Sequence, residues 1–328
     1  MKYIKTNWAV PYYNMALEDY LTGDEAMGED YLFFYINDPS VIIGSHQNTY
    51  AQVNEKFIRE RGIYVARRLS GGGAVYHDRG NLNFSFVVNN EGGQKIDFAR
   101  YTSPVLATLK DFGVKASLSG RNDLCIGERK FSGNAQYINK RKVLHHGTLM
   151  FDVNIEDMVS ALNVSEMKII SKAVESVRSR VINLKSLMPE GVTIEDFKNA
   201  LIEKFFSNSD FGEYTLSGED ISQVERRVAE KFSRREYNYG EKPNFSAEKT
   251  RKYPAGIFEA FFDVSKGKLT AFSLKGDFFT NRDIDFIEQG LIGVGFDEAS
   301  LRQALEKIGF EGAIAGFGTD DFVDLLFC

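Results

Sequence analysis

Apolar residues return along this chain at two periods. Residues 12–21 set Tyr13, Leu17, Tyr20 and Leu21 on one face at helical spacing, with Asn14 as the expected cap. The aromatic run 31–36 and the apolar run 41–43 flank Asn37-Asp38-Pro39-Ser40, turn chemistry that predicts a hairpin. A helix is expected over 53–61, closed by Gly62, then an apolar-alternating strand through Ala66 and a second strand over 82–88. Residues 98–112 read as an amphipathic helix closed by Gly113, 143–152 as a strand and 155–161 as a short helix. Helices follow over 193–206 and 219–232, with Thr193 and Ser217 as candidate caps.

Periodicity fails in 238–254. This stretch holds Pro243 and Pro254, two of the six prolines, with Gly240, Asn244, Ser246 and several lysines. Beyond it alternation resumes over 257–264 and 269–274 around the turn Ser265-Lys266-Gly267, and helical patterns cover 284–289 and 298–308. A chain of 328 residues exceeds what one core usually supports. The expected division is therefore a large domain over 1–245 and a small one over 246–328.

Composition narrows the class. Hydrophobic residues make up 43% and charged residues 26%, as in ordinary globular proteins. A net charge of −6 speaks against a general nucleic-acid binder, which needs a basic face. The two cysteines, Cys125 and Cys328, lie far apart and indicate no disulfide framework, so a reducing cytoplasm is expected. The first residues lack the apolar core of a signal peptide, and no run reaches the ~18 apolar residues of a membrane helix.

The chemistry concentrates in Arg67-Arg68-Leu69-Ser70-Gly71-Gly72-Gly73-Ala74-Val75-Tyr76-His77-Asp78. Three consecutive glycines between two strands lose much backbone entropy on ordering, so they imply close approach of backbone to something else. Bare N–H groups with flanking guanidiniums suit a phosphate or carboxylate, and a solvated glycine-rich hairpin is the bland alternative. Lys130 sits among small residues, Ser132, Gly133 and Ala135, where an ammonium can meet a developing anion or be a surface lysine. Asp123 is a candidate Mg²⁺ ligand beside phosphate oxygens, or a turn-former. His145 and His146 are adjacent on a strand and face opposite sides, one toward a core and one toward a site. Cys125 is a candidate thioester nucleophile, with a buried apolar thiol as the plainer reading. No Walker-type loop, His-Glu-x-x-His or Cys-x-x-Cys is present, and Gly-Leu-Ile-Gly-Val-Gly at 290–295 has the wrong spacing for a dinucleotide fingerprint.

Five segments together carry a resemblance: 67–78, Gly-Arg-Asn-Asp-Leu at 120–124, Arg-Lys-Phe-Ser-Gly-Asn-Ala at 129–135, His-His-Gly-Thr-Leu at 145–149, and Ser-Val-Arg-Ser-Arg-Val-Ile-Asn-Leu at 176–184. In this order they resemble the lipoate–protein ligases of the biotin/lipoate protein ligase family, weakly extended by Phe262-Asp263-Val264 and Lys266-Gly267. The resemblance implies an α+β fold, a mixed sheet with helices akin to class II aminoacyl-tRNA synthetase and biotin protein ligase cores, followed by a small α/β domain. It implies a two-step reaction. Lipoic acid (or octanoate) and MgATP give an acyl-adenylate, and the acyl group then passes to a lysine of an acceptor lipoyl domain, in 2-oxoacid dehydrogenase E2 subunits or the glycine cleavage H protein. Neither nucleic acid nor membrane is an implied partner.

By the same resemblance Lys130 contacts both carboxylate and α-phosphate. Arg68, Gly73, Ala74, Val75, Tyr76, Asn122 and Asp123 lie along the nucleotide, Asp123 with Mg²⁺. Ser70, Gly71, Gly72 and His146 line the lipoyl tunnel, and 172–181 forms a lid. Phe34, Tyr35, Phe84 and Phe86, aromatic residues on adjacent strands, are candidates for the tunnel wall, with plain core as the alternative for most of them. Two departures stand out. Leu69 occupies a position where serine is common, and Lys140-Arg141-Lys142 falls where the family carries one arginine near the lipoyl carboxylate. The competing readings are an octanoyl or lipoyl transferase working through Cys125 without ATP, and a non-catalytic acyl-adenylate-binding regulator.

Overall fold

In a computed structural model, the described residues are all except 24–27, 91–95, 163–176, 207–211, 241–243 and 328. The elements are β1 (Lys2–Lys5), α1 (Pro11–Thr22), β2 (Tyr31–Tyr35), β3 (Ser40–Ile43), α2 (Thr49–Gln52), α3 (Glu55–Arg61), β4 (Tyr64–Arg67), β5 (Val75–His77) and β6 (Asn81–Asn89). They continue with α4 (Phe98–Asp111), β7 (Ser117–Ser119), β8 (Asp123–Ile126), β9 (Arg129–Ile138), β10 (Lys142–Met150), α5 (Ile155–Ala161), α6 (Ile194–Phe206), β11 (Gly212–Tyr214), α7 (Gly218–Arg227) and α8 (Arg235–Tyr239). The last are β12 (Ala247–Tyr253), β13 (Gly256–Ser265), β14 (Lys268–Gly276), α9 (Asp285–Leu291), α10 (Glu298–Lys307) and α11 (Thr319–Phe327).

A mixed eight-stranded sheet runs β11-β1-β2-β6-β10-β9-β8-β7. Its central strands are buried on both faces. Leu32, Phe34, Phe84 and Phe86 pack with Tyr101 and Val105 of α4 and Phe197 and Leu201 of α6. On the opposite face Phe33, Tyr35 and Val87 pack with Met15 and Leu17 of α1 and Val224 of α7. A small sheet, β4-β3-β5, lies over that second face through Ile42 and Val75. Its other side packs on a separate cluster that includes Val41, Ile58 and Tyr76. The C-terminal residues form a third sheet, β12-β13-β14, with its own core around Phe258, Phe272, Phe310 and Phe322.

Three expectations need correction. The hairpin over 31–43 does not form: β2 pairs with β1 and β6, whereas β3 pairs with β4 and β5. The intervening turn groups bond the N-terminal segment instead. Asp38 N–H donates to the Ala9 carbonyl, and Asn37 is fully buried between Asn14 and His77. Asn14 is not a cap. Pro11 opens α1, and Asn14 is buried, donating to the Trp8 carbonyl. The aperiodic stretch 238–254 contains strand β12, an edge strand whose many charged residues conceal the alternation.

Other local readings agree with the structure. Ser217 and Asp220 form a reciprocal capping box, Gly62 and Gly113 close their helices at φ of 63° and 79°, and Lys266 and Gly267 turn β13 into β14.

Arg67 fastens the start of the glycine loop. Its buried guanidinium donates to the carbonyls of Gly44, Ser45, Gln47, Tyr237 and Asn238 and to Thr49 Oγ1. Removing it orphans several buried acceptors at once. Arg67→Met is expected to cost about 3 kcal/mol or more of folding stability, read as a lower urea midpoint with unchanged slope. A midpoint equal to that of the parent chain would contradict this role.

Candidate active site between the two sheets

The glycine loop joins β4 to β5, and Arg68 at its start folds back under it. The Arg68 guanidinium donates to the carbonyls of Ile42, Gly71 and Gly73 at 3.1, 2.7 and 2.8 Å, and its Nε donates to Ser70 Oγ at 3.0 Å. Burial pulls its pKa down to about 10, although the charge of Glu18 opposes the shift. Gly72 takes φ of 90°, and its N–H donates to the Phe278 carbonyl at 3.2 Å, so the C-terminal segment sits on this loop.

Beneath the loop, between the large and small sheets, lies a cavity of about 110 Å³. Arg68, Gly72, Gly73, Ala74, Val75, Asn122, Lys130 and His146 line it. The remaining candidates stand differently. Ser70 is buried behind the wall and bonds His146 Nε2 at 2.6 Å. Gly71 packs against the Phe278 carbonyl. Tyr76 points from β5 into the core on the far side of the small sheet. Asp123 meets Lys130 Nζ at 2.8 Å.

Of the proposed aromatic wall, Tyr35 lines the cavity, while Phe34, Phe84 and Phe86 belong to the core behind the sheet. Leu69 packs toward the α1-side core. Lys142 donates to the Glu29 carbonyl, and none of 140–142 is in the cavity wall. Of the expected lid, 172–176 lie outside the described residues. Val181 bridges to Lys130, whose N–H donates to the Arg180 carbonyl.

Strand alternation separates the two histidines. His145 turns to the α4 side, bonded to Gln136 and stacked on Tyr101 at 4.8 Å. His146 turns to the cavity, with Nδ1 at 3.0 Å from both oxygens of Glu18. Glu18 is fully buried on α1 and also accepts from Ser85 and Tyr35. The result is a continuous chain of hydrogen bonds, Arg68–Ser70–His146–Glu18. The sequence reading missed Glu18. Its signal was a pair of polar residues, Asn14 and Glu18, four apart and so on the same helical face as Leu21 and the other apolar residues around them. The reading also missed Asn134, whose Oδ1 is buried without a partner, and Phe279, which brings the C-terminal segment into the wall.

The catalytic domain model for lipoyl protein ligase A/B matches residues 10–206, and that for the bacterial lipoate protein ligase C-terminus matches 242–326. The chain belongs to the lipoate–protein ligase family. It is 40% identical to lipoate-protein ligase LplJ of Bacillus subtilis over 320 residues, 97% of each chain. Among solved structures, LipL1 of P. falciparum in complex with lipoate matches with a TM-score of 0.81 at 25% identity, covering 98% of this chain and 97% of that one. A lipoate-protein ligase A bound with ATP matches with a TM-score of 0.62 at 28% identity, over 73% of this chain and 98% of that one.

This lipoate–protein ligase keeps two buried histidines neutral, His77 in the cavity wall and His145 on the α4 side of the large sheet. Burial pulls His77 down to about 3, with Arg68 and His146 acting in the same direction, and pulls His145 well below its usual value. The unfolded chain binds protons at these positions below pH about 6.5, and the folded chain does not. Stability is therefore complete above that pH and falls as pH drops below it, by about 1.4 kcal/mol per unit for each ring. Urea midpoints should hold level near neutral pH and decline from about pH 6.5 toward the folded-state values. Replacing His145 with Gln should flatten that decline, and an unchanged slope in the variant would refute the assignment.

Proposed function

We infer that this chain activates lipoate with ATP and transfers the lipoyl group to a lysine of an acceptor lipoyl domain. One observation carries the reading. The Lys130 amine and the Arg68-held glycine loop converge on one cavity whose wall includes Met15, Tyr35 and Ile42. The relatives' names, and the ATP and lipoate bound in similar structures, support the same choice.

In the first step a carboxylate oxygen attacks the α-phosphorus, a P–O bond to the acid forms, and pyrophosphate leaves with its electron pair. Lys130 is the ammonium placed to meet both anions. Its contact with Asp123 holds it at the mouth, over Gly133, where a Cβ would lie only 3.0 Å from Nζ. Glycine there leaves the amine its place. Asn122 and Asn134 add neutral donors and acceptors beside it. In the second step the acceptor lysine's amine attacks the acyl carbon, and AMP leaves.

Among the described residues no group of three His, Cys, Asp or Glu is arranged to hold a metal. A single carboxylate with phosphate oxygens suffices for Mg²⁺, so Asp123 fits an ion that arrives with the nucleotide. Such an ion supplies charge neutralisation at the phosphates. Cys125 suits a nucleophile poorly: it is 7% exposed, and burial with the nearby Asp123 charge pushes its thiol pKa up. We place the division between catalytic and accessory parts near residue 245, and the protein in the cytoplasm.

Lys130→Ala is expected to lower lipoate-dependent ATP–pyrophosphate exchange by at least about 10²-fold, the usual effect of losing a charge-stabilising donor. Exchange at the parental rate in a folded Lys130→Ala protein would remove the central assignment. Mass spectrometry of the chain incubated with octanoyl carrier protein tests the transferase alternative. The ligase reading expects no acyl adduct on Cys125.

A further inference from the structure

One polar atom in the cavity has no task in the activation chemistry. His77 is 3% exposed, lines the cavity, and its Nε2 is buried without a hydrogen-bond partner. Its neighbours fix where its proton sits. Asn14 Nδ2 donates to the Trp8 carbonyl at 3.0 Å, which orients that amide. The same Nδ2 meets Asn37 at 2.8 Å, so the Asn37 atom facing it is Oδ1. Asn37 then presents Nδ2 to His77 Nδ1 at 3.0 Å. Nδ1 is therefore an acceptor, and the neutral ring carries its proton on Nε2. The cavity wall thus carries a buried N–H with nothing to receive it, a state that costs free energy until a ligand supplies an acceptor.

Sheet order puts β2, after which the His77 partner Asn37 lies, three strands away from β9, which carries Lys130. Tyr35 on β2 pairs with Asn83 on β6, Asn83 with Thr148 on β10, and Gly147 beside it with Asn134 on β9. From β2 to β9 is three interstrand steps, about 14 Å. Lys130 belongs to the β9 end, and His77, bonded to Asn37 just past β2, belongs to the other. An acid whose carboxylate meets Lys130 therefore lays its chain across the strands and delivers its far end to His77.

We propose that His77 is a specificity-determining residue that reads the far end of the acyl substrate, donating its Nε2–H to a sulfur of a terminal cyclic disulfide. This rests on the cavity's being the acyl site proposed above. Sulfur is a weak acceptor, but the neighbouring walls, Met15, Tyr35 and Ile42, offer little competition from water. A plain hydrocarbon end displaces any water from Nε2 and leaves the N–H unpaired. The site therefore favours the disulfide-bearing acid over a carbon isostere of the same shape.

The test compares lipoate with 5-cyclopentylpentanoate, which keeps the ring and chain and replaces both sulfurs by methylenes. In ATP–pyrophosphate exchange the wild-type chain should prefer lipoate about tenfold in kcat/KM, the reach of one hydrogen bond. His77→Met should bring the ratio close to one, and His77→Gln, whose amide can donate from the same place, should recover part of it. A general packing defect would slow both acids and leave the ratio intact. A wild-type ratio of one, or a full ratio in His77→Met, overturns the proposal. A measurement on unsubstituted protein covers the case in which His77→Met does not fold. With ¹⁵N-histidine labelling, the His77 Nε2 resonance should shift on adding lipoate and stay in place with the cyclopentyl acid. Equal shifts with both acids overturn the proposal. Absence of exchange with either acid would instead overturn the ligase reading itself.

Discussion

The site depends on one buried guanidinium. Arg68 gathers the carbonyls of Ile42, Gly71 and Gly73 around itself and so fixes the curvature of a loop that glycine alone would leave loose. The charge is tolerable because a wire of hydrogen bonds runs from it through Ser70 and His146 to Glu18. Two opposite charges are thereby held apart inside one protein interior, each surrounded by donors or acceptors of the right kind. The wire also connects the loop at the mouth with the inner wall, where His146 faces the cavity.

Two arginines in sequence divide the labour. Arg67 faces away from the cavity and ties the loop's origin to the segment after β3 and to α8. Arg68 faces the cavity side and shapes the loop itself. Arg67 ends β4 and Arg68 directly follows it, and neighbouring side chains of an extended chain leave on opposite faces. The same rule separates His145 from His146.

The C-terminal segment completes the site and does more than flank it. Phe278 stacks on His46 at 5.0 Å and receives the Gly72 N–H, Arg121 lies over the Phe279 ring at 4.7 Å, and Phe279 itself enters the cavity wall. One of the loop's backbone donors is thus engaged by protein.

The opposed faces of His145 and His146 were legible from the residues alone, because strand alternation sets them; the glycine loop and Lys130 carried an anion-site reading and a bland one side by side, and the resemblance chose between them. The Ser217 cap, the stops at Gly62 and Gly113 and the β13–β14 hairpin were legible because their signals lie within a few residues of each other. The partners of β2 and β3 were not, because a strand buried on both faces carries no mark of its neighbour. Glu18 and Phe279 also escaped, since their roles come from distant contacts, such as that of Glu18 with His146, 128 residues away. A carboxylate on the buried face of a helix or an imidazole on a strand acquires its direction from what burial places against it. Only the folded chain brings those groups together.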